Sequence, residues 1–163
     1  MIRAYLAAPL FNERERLFNP ELAVSLSAYC DVFLPQRDGL LLAELLAAGI
    51  PPGVAETRIF ECDRAALERC EILVAVLDGA HIDEGVAFEI GFANAHGALC
   101  LGLQSDVRRA LPSGNNPMIG RALSSIFSSP RDLVAYIADE TQSRRQLQSD
   151  EAEPACSSRC SKE

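Results

Sequence analysis

Glu89 is the side chain whose type and position most favour chemistry. It lies in the segment Asp83–Ala93, which follows the apolar run Ile72–Leu77 and the turn pair Asp78–Gly79. That run is typical of a buried parallel strand, and α/β folds place their ligand sites at the carboxyl ends of such strands. The following helix carries Glu89 at the edge of its apolar stripe. This spacing is compatible with a catalytic carboxylate and equally with an ordinary solvated helix glutamate.

The composition restricts what other chemistry the chain can perform. Lys162 is the only lysine, so the sequence offers no Schiff-base lysine in its folded part and no phosphate-binding loop ending in Gly-Lys-Ser/Thr. The two histidines, His81 and His96, are too few and too separated to suggest a metal site. The sequence therefore predicts chemistry done mainly by carboxylates, with no metal and no cofactor.

Short apolar runs alternate with helical stretches along the chain. This alternation predicts a doubly wound, flavodoxin-like parallel sheet of about five strands with helices on both faces. The predicted strands are 2–7, 31–34, 72–77, 98–103 and 125–127, and the predicted helices are 12–29, 40–46, 54–70, 83–97, 117–123 and 130–138.

Length and composition predict a single domain over residues 1–140. The chain has 163 residues, of which 48% are hydrophobic, which suits one compact core. Residues 141–163 are polar and poor in large apolar side chains, so we expect them to be disordered. No signal peptide and no run long enough to span a bilayer is present, which favours a cytoplasmic location without membrane binding.

The net charge is −8, and residues 141–163 contribute none of it, with four basic and four acidic side chains. The whole negative excess therefore belongs to residues 1–140. An acidic domain repels a phosphate backbone, which argues against nucleic acid as a partner.

Four ordered segments together resemble the nucleoside 2-deoxyribosyltransferase family. They are Tyr5–Phe11 in the first strand and its loop, Asp63 before the apolar strand, Asp83–Ala93, and Asn116–Met118. The resemblance covers about residues 1–140, and the spacing from Asp83 to Glu89 is that of the family. Each segment alone is weak, but their order and gaps make the match specific.

The resemblance implies transfer of a 2-deoxyribosyl group between nucleobases of 2′-deoxynucleosides. Glu89 would be the nucleophile that forms a covalent deoxyribosyl ester, and two successive displacements would give net retention. Asp63 would protonate the departing base, and Tyr5 would orient Glu89 through its phenol. Without the resemblance, Asp63 is equally a surface aspartate and Tyr5 a half-buried strand tyrosine.

The resemblance also implies a set of substrate-binding residues and an oligomer. The expected partners are 2′-deoxynucleosides and free purine or pyrimidine bases, in a homo-oligomer whose sites are completed across subunits. Local structure offers another explanation for each residue, as a helix cap, a turn residue or a core aromatic. Those expected at the sugar are Asp83, Gly85 and, from a neighbouring subunit, Asn116; those expected at the base are Gln36, Asp38 and Phe11.

Two other functions fit the same sequence. One is an N-glycoside hydrolase of deoxynucleoside 5′-monophosphates, although Asp83 and Glu84 stand where a helix start would otherwise bind a phosphate. The other is a non-catalytic nucleoside or nucleotide sensor, which would not need Glu89, Asp63 and Tyr5 together.

Overall fold

The computed structural model describes residues 1–106 and 114–152. In chain order, its elements are β1 (Ile2–Ala7), α1 (Glu13–Ser27), β2 (Cys30–Phe33), α2 (Pro35–Asp38), α3 (Leu42–Ala47), α4 (Pro52–Leu67), β3 (Ile72–Val76), α5 (Glu84–Ala95), β4 (Leu99–Leu103), α6 (Pro117–Ala122), β5 (Ser125–Phe127) and α7 (Pro130–Ala152).

The five described strands form one parallel sheet in the order β2-β1-β3-β4-β5. From β1 the chain first moves to one side of the sheet, to β2, and then returns to place β3 on the other side. The order therefore reverses between β1 and β3, where Tyr5 is in register with Leu73. The predicted doubly wound sheet is confirmed, and its β1/β3 boundary is where such folds bind ligands.

Successive side chains of β1 point to opposite faces of the sheet, as a strand requires. Leu6 packs into a core that is closed by α1 and α7. Tyr5 and Ala7 pack into the other core, which is closed by α4 and α5. The predicted apolar stripe of α5 is buried there through Val86, Ile90 and Ala93. Tyr5 and α5 are thus brought together on one face.

Local sequence explains the ends of the two helices that form this face. Asp83 is the N-cap of α5 and accepts a hydrogen bond from the Val86 amide. Gly97 follows the helix with φ +80°, a conformation that glycine adopts without strain. At α4, Pro52 occupies the first turn, where its missing N–H leaves no helical bond unmade.

The carboxyl-terminal helix differs from the sequence prediction. Residues 141–152 continue α7 and are not disordered as predicted, whereas 153–163 lie outside the described residues. Thr141 is buried, and Glu140 pairs with Arg144 one turn later at 2.7 Å. A helix that is already anchored by its first turns extends without a new nucleation step, so a polar composition did not prevent it.

Two further sequence-level observations can be placed in the structure. Cys30, Cys62, Cys70 and Cys100 are free thiols. Across residues 1–106 and 114–152, no helix is long and apolar enough to cross a membrane.

Candidate active site

Glu89 and Tyr5 form a direct hydrogen bond across the β1/β3 boundary. The fully buried Tyr5 donates its phenol hydrogen to Glu89 Oε1 over 2.5 Å. The Tyr5 ring is itself held by a stacked contact with Phe33, with ring centroids 5.5 Å apart. Since neither ring can rotate freely in this core, the phenol fixes one oxygen of the carboxylate. The other oxygen, Oε2, makes no described hydrogen bond.

Asp63 lies on α4, opposite Glu89, with an unusual polar environment. Its Oδ1 atom is buried and has no hydrogen-bond partner. The neighbouring Arg64 does not neutralise it, because that guanidinium pairs with Glu61 and Glu68. Gly39 approaches closely enough that a Cβ there would lie 3.1 Å from Oδ1. A buried, unpartnered carboxyl oxygen is costly in a folded protein, and the cost is smaller when the carboxyl group is protonated and uncharged.

Burial raises the pKa of both carboxyl groups. Loss of solvation raises the pKa of Asp63 to about 6. Loss of solvation also raises the pKa of Glu89 to about 8; the Tyr5 hydrogen bond opposes this rise, and the charges of Asp63 and Asp83 add to it. Burial and the nearby carboxylates also raise the pKa of Tyr5, which therefore stays a hydrogen-bond donor. Around neutral pH the two carboxyls share about one proton.

Glu89 and Asp63 open into one cavity between α4 and α5, of about 320 Å³. We call it the α4/α5 pocket. Its walls are mostly apolar, with charged side chains at two positions besides the two carboxylates. The remaining lining residues are Glu56, Ile59, Phe60, Arg64, Leu67, Gly85 and Phe88. A concave apolar site with two converging carboxyl groups of raised pKa has the features of an active site.

A model of the nucleoside 2-deoxyribosyltransferase family matches residues 4–152. The chain belongs to this family. Membership of this family supports an enzyme of the deoxyribosyltransferase type. No curated protein matches the sequence significantly.

Three solved structures share the fold. The 2-deoxyribosyltransferase from Bacillus psychrosaccharolyticus has 21% identity and a TM-score of 0.65, covering 81% of this chain and 90% of its own. The 2-deoxyribosyltransferase from Leishmania mexicana has 18% identity and a TM-score of 0.58, covering 85% and 98% respectively. The CMP N-glycosidase from Clostridium botulinum has 16% identity and a TM-score of 0.51, covering 83% and 97%.

Asp83 and Gly85, two of the three residues predicted at the sugar, lie near Glu89. Gly85 lines the α4/α5 pocket one turn before Glu89. A Cβ at Gly85 would lie 3.0 Å from Asp83 Oδ1, the oxygen that caps α5, so a larger residue would crowd that cap. Asp83 keeps its second oxygen free of any described hydrogen bond, which allows capping and sugar contact together.

The residues predicted at the base have other contacts in the structure. Both polar groups of the Gln36 side chain are used: Oε1 accepts from Asn19, and Nε2 donates to the carbonyl oxygen of Arg16. That carbonyl needs a donor because Pro20, four residues later in α1, has no N–H. Asp38 accepts from Arg37 and from the Leu34 amide. The described contacts of both residues are thus structural, and their role at the base stays a prediction.

Phe11 and Asn116 lie apart from the α4/α5 pocket. The Phe11 side chain is 75% exposed and does not line the pocket. Asn116 is the N-cap of α6, accepts from the Met118 amide and is itself exposed. An exposed asparagine can reach a neighbouring subunit, but the structure contains a single chain, so this role also stays a prediction.

Sequence reasoning missed several pocket residues, above all Phe60 and Phe88. Helical spacing contains the signal: Glu56, Phe60, Asp63 and Leu67 recur at three- and four-residue steps and so share one face of α4. That pattern could have been extended from Asp63 in both directions. The sequence did not show that this face, rather than the opposite one, adjoins α5.

Proposed function

We propose that the protein transfers the 2-deoxyribosyl group between nucleobases of 2′-deoxynucleosides through a covalent ester on Glu89. The observation that carries the proposal is the Glu89 carboxylate, fixed by Tyr5 and facing an apolar pocket that also contains Asp63. Family membership supports the substrate class.

In the first step, Glu89 Oε2 attacks C1′ of the deoxynucleoside and the C1′–N bond to the base breaks. The electron pair of that bond leaves with the base, whose ring nitrogen takes the proton of Asp63. In the second step, a new base attacks C1′ of the ester, the C1′–Oε2 bond breaks, and Asp63 takes a proton from the incoming base. Glu89 and Asp63 return to their starting states, and two inversions give net retention.

The two pKa values explain how the site prepares for this reaction. With the pKa of Glu89 near 8 and that of Asp63 near 6, the shared proton lies on Glu89 more than on Asp63 in the free enzyme. The reactive arrangement needs it on Asp63. A ring nitrogen that accepts a hydrogen bond from Asp63 favours the protonated form of that carboxyl. We infer that the substrate itself moves the proton from Glu89 to Asp63.

The carboxylates at the start of α5 favour nucleosides over 5′-monophosphates. Asp83 already accepts from the Val86 amide, and Glu84 lies in the first helical turn. Helix amides that would bind a phosphate dianion are therefore occupied or screened by negative charge. The alternative function, hydrolysis of 5′-monophosphates, is favoured by the fold shared with the CMP N-glycosidase.

The proposal extends to a homo-oligomer in which Asn116 reaches the site of a neighbouring subunit. Its support is the exposure of Asn116 and of Met118, which is 81% exposed beside it. The test is complementation: Asn116→Ala and Glu89→Gln should each be inactive alone, and mixed oligomers should regain activity only if Asn116 acts on another subunit's site. A mixture that stays inactive although sedimentation shows mixed oligomers would refute this arrangement.

The deciding experiment for the reaction combines base exchange with mass spectrometry. Deoxyinosine and adenine should give deoxyadenosine and hypoxanthine. With the donor alone, peptide mapping should find a deoxyribosyl group on the peptide containing Glu89, and Glu89→Gln should lack it. Release of base without exchange, and with a preference for the 5′-monophosphate, would indicate the hydrolase. Binding without any adduct or product would indicate a sensor.

A further inference from the structure

Two phenylalanines form an aromatic wall in the α4/α5 pocket. Phe60 on α4 and Phe88 on α5 both line it, and their ring centroids are 6.4 Å apart with an interplanar angle of 53°. They are 49% and 53% exposed, respectively. Large aromatic side chains that remain half exposed beside reactive groups indicate a surface that a ligand covers.

The wall stands next to both carboxyl groups of the pocket. Phe60 precedes Asp63 by three residues, so the two share one face of α4. Phe88 directly precedes Glu89 on α5. When the base nitrogen of a deoxynucleoside contacts Asp63 and its sugar C1′ contacts Glu89, the base therefore lies alongside these two rings. Flat aromatic bases stack on such surfaces, and the energy of stacking depends little on which polar groups the base carries.

The geometry also indicates which base gains more. Because the two rings are 6.4 Å apart and tilted by 53°, a flat base can stack on one ring and meet the other only with its edge. A bicyclic purine is long enough to make both contacts at once. A monocyclic pyrimidine covers one phenylalanine at a time. We propose that Phe60 and Phe88 form the stacking surface for the nucleobase and make purines the preferred acceptors. This proposal rests on the proposed transfer reaction, since it names the substrate class of the same site.

The experiment separates stacking from bulk and from chemistry. Phe60→Leu and Phe88→Leu keep an apolar side chain and remove the ring, Phe60→Tyr keeps the ring, and Val54→Ala is a control at an exposed apolar position of the same helix. For each variant, KM is measured for adenine and for cytosine as acceptors, with p-nitrophenyl 2-deoxyriboside as the common donor. Equilibrium binding of adenine is measured by calorimetry without any donor.

The Leu variants should raise KM and Kd for adenine by about 5- to 150-fold, the range of one stacked base, and raise KM for cytosine less. At saturating donor, the rate of adduct formation should change less than about twofold, because stacking of the nitrophenyl ring affects donor affinity and not the attack at C1′. Phe60→Tyr and Val54→Ala should behave as wild type.

Unchanged adenine affinity in the Leu variants would overturn the proposal, and so would equal losses of affinity for adenine and cytosine. If a Leu variant instead dissociates from an oligomer while its adenine affinity is intact, Phe60 and Phe88 form a subunit contact and the proposal is also overturned. If wild type forms no adduct, the transfer reaction fails instead, and calorimetry with adenine still tests the wall independently.

Discussion

Replacing Asp63 by Asn tests the proton transfer most directly. In wild type, the state with one proton on the two carboxyls predominates between about pH 6 and 8. Below that window both groups are protonated and Glu89 cannot attack; above it both are ionised and no proton is available for the base. We therefore expect kcat/KM for deoxyinosine to show a bell-shaped dependence on pH, with apparent pKa values near 6 and 8.

The Asn side chain keeps the shape of Asp63 but cannot deliver a proton. Cleavage of deoxyinosine should slow by about 10²–10⁴-fold, the usual contribution of a general acid. p-Nitrophenyl 2-deoxyriboside has a good leaving group and should react at least as fast as with wild type. Removal of the Asp63 charge lowers the pKa of Glu89, so more of the nucleophile is ionised at neutral pH.

The shape of the pH profile should change with the substitution. With the activated donor, the rate of the Asp63→Asn variant should rise with pH to a plateau, because only ionisation of Glu89 remains. Stopped-flow absorbance of p-nitrophenolate measures this rate, and intact-mass spectrometry should show the ester accumulating when adenine is added. Asp139→Asn, the same change at an exposed site on α7, is the control. Equal slowing on both donors would mean that Asp63 only positions the substrate.

The other predictions concern the nucleophile, its phenol partner, the substrate and the last helix. Glu89→Gln should abolish exchange; more than about a tenth of wild-type turnover, or 1.4 kcal/mol of barrier, would refute its role. The raised pKa of Glu89 destabilises the fold as pH rises from about 4.5 to about 8. Glu89→Gln should therefore melt at least about 2–4 °C above wild type at pH 8 and show little gain in melting temperature near pH 4. Tyr5→Phe should shift the Glu89 limb of the pH–rate profile to higher pH, since the phenol hydrogen bond lowers the pKa of Glu89. Deoxynucleosides should exceed their 5′-monophosphates in kcat/KM, and a reversed preference would favour the hydrolase. Truncation after Glu140 should lower the melting temperature relative to truncation after Ala152, because it removes the buried Thr141.

Local patterns in the sequence were enough to predict the sheet and the ends of α5. The run Ile72–Leu77 has no helical period, and Asp83 and Gly97 are typical start and stop residues, so each prediction depended on adjacent residues. The pairing of Tyr5 with Glu89 could not be obtained this way. The two residues are 84 positions apart, and only the family resemblance connected them before the structure did.

The prediction of disorder from residue 141 differs from the structure for an identifiable reason. Disorder was predicted from residue 141 because the composition there is polar, yet Leu133 and Ile137 anchor the same helix in the core, and good helix formers extend it. The place of Gln36 at the base was implied by the family resemblance and stays a prediction, but its structural contacts could not be foreseen from neighbouring residues. Its contact with Arg16 depends on a carbonyl freed by Pro20, in a different element.

The same features that make the site costly to fold make it reactive. Asp63 Oδ1 has no partner, and no cation of the described residues pairs with Glu89 or Asp63. A nearby arginine would lower both pKa values and stabilise the fold, but it would also hold both carboxyls ionised at neutral pH. The site would then have a nucleophile and no acid. Because Arg64 is held by Glu61 and Glu68, it leaves the two carboxyls with the one proton between them that the proposed transfer needs for attack at C1′ and protonation of the base.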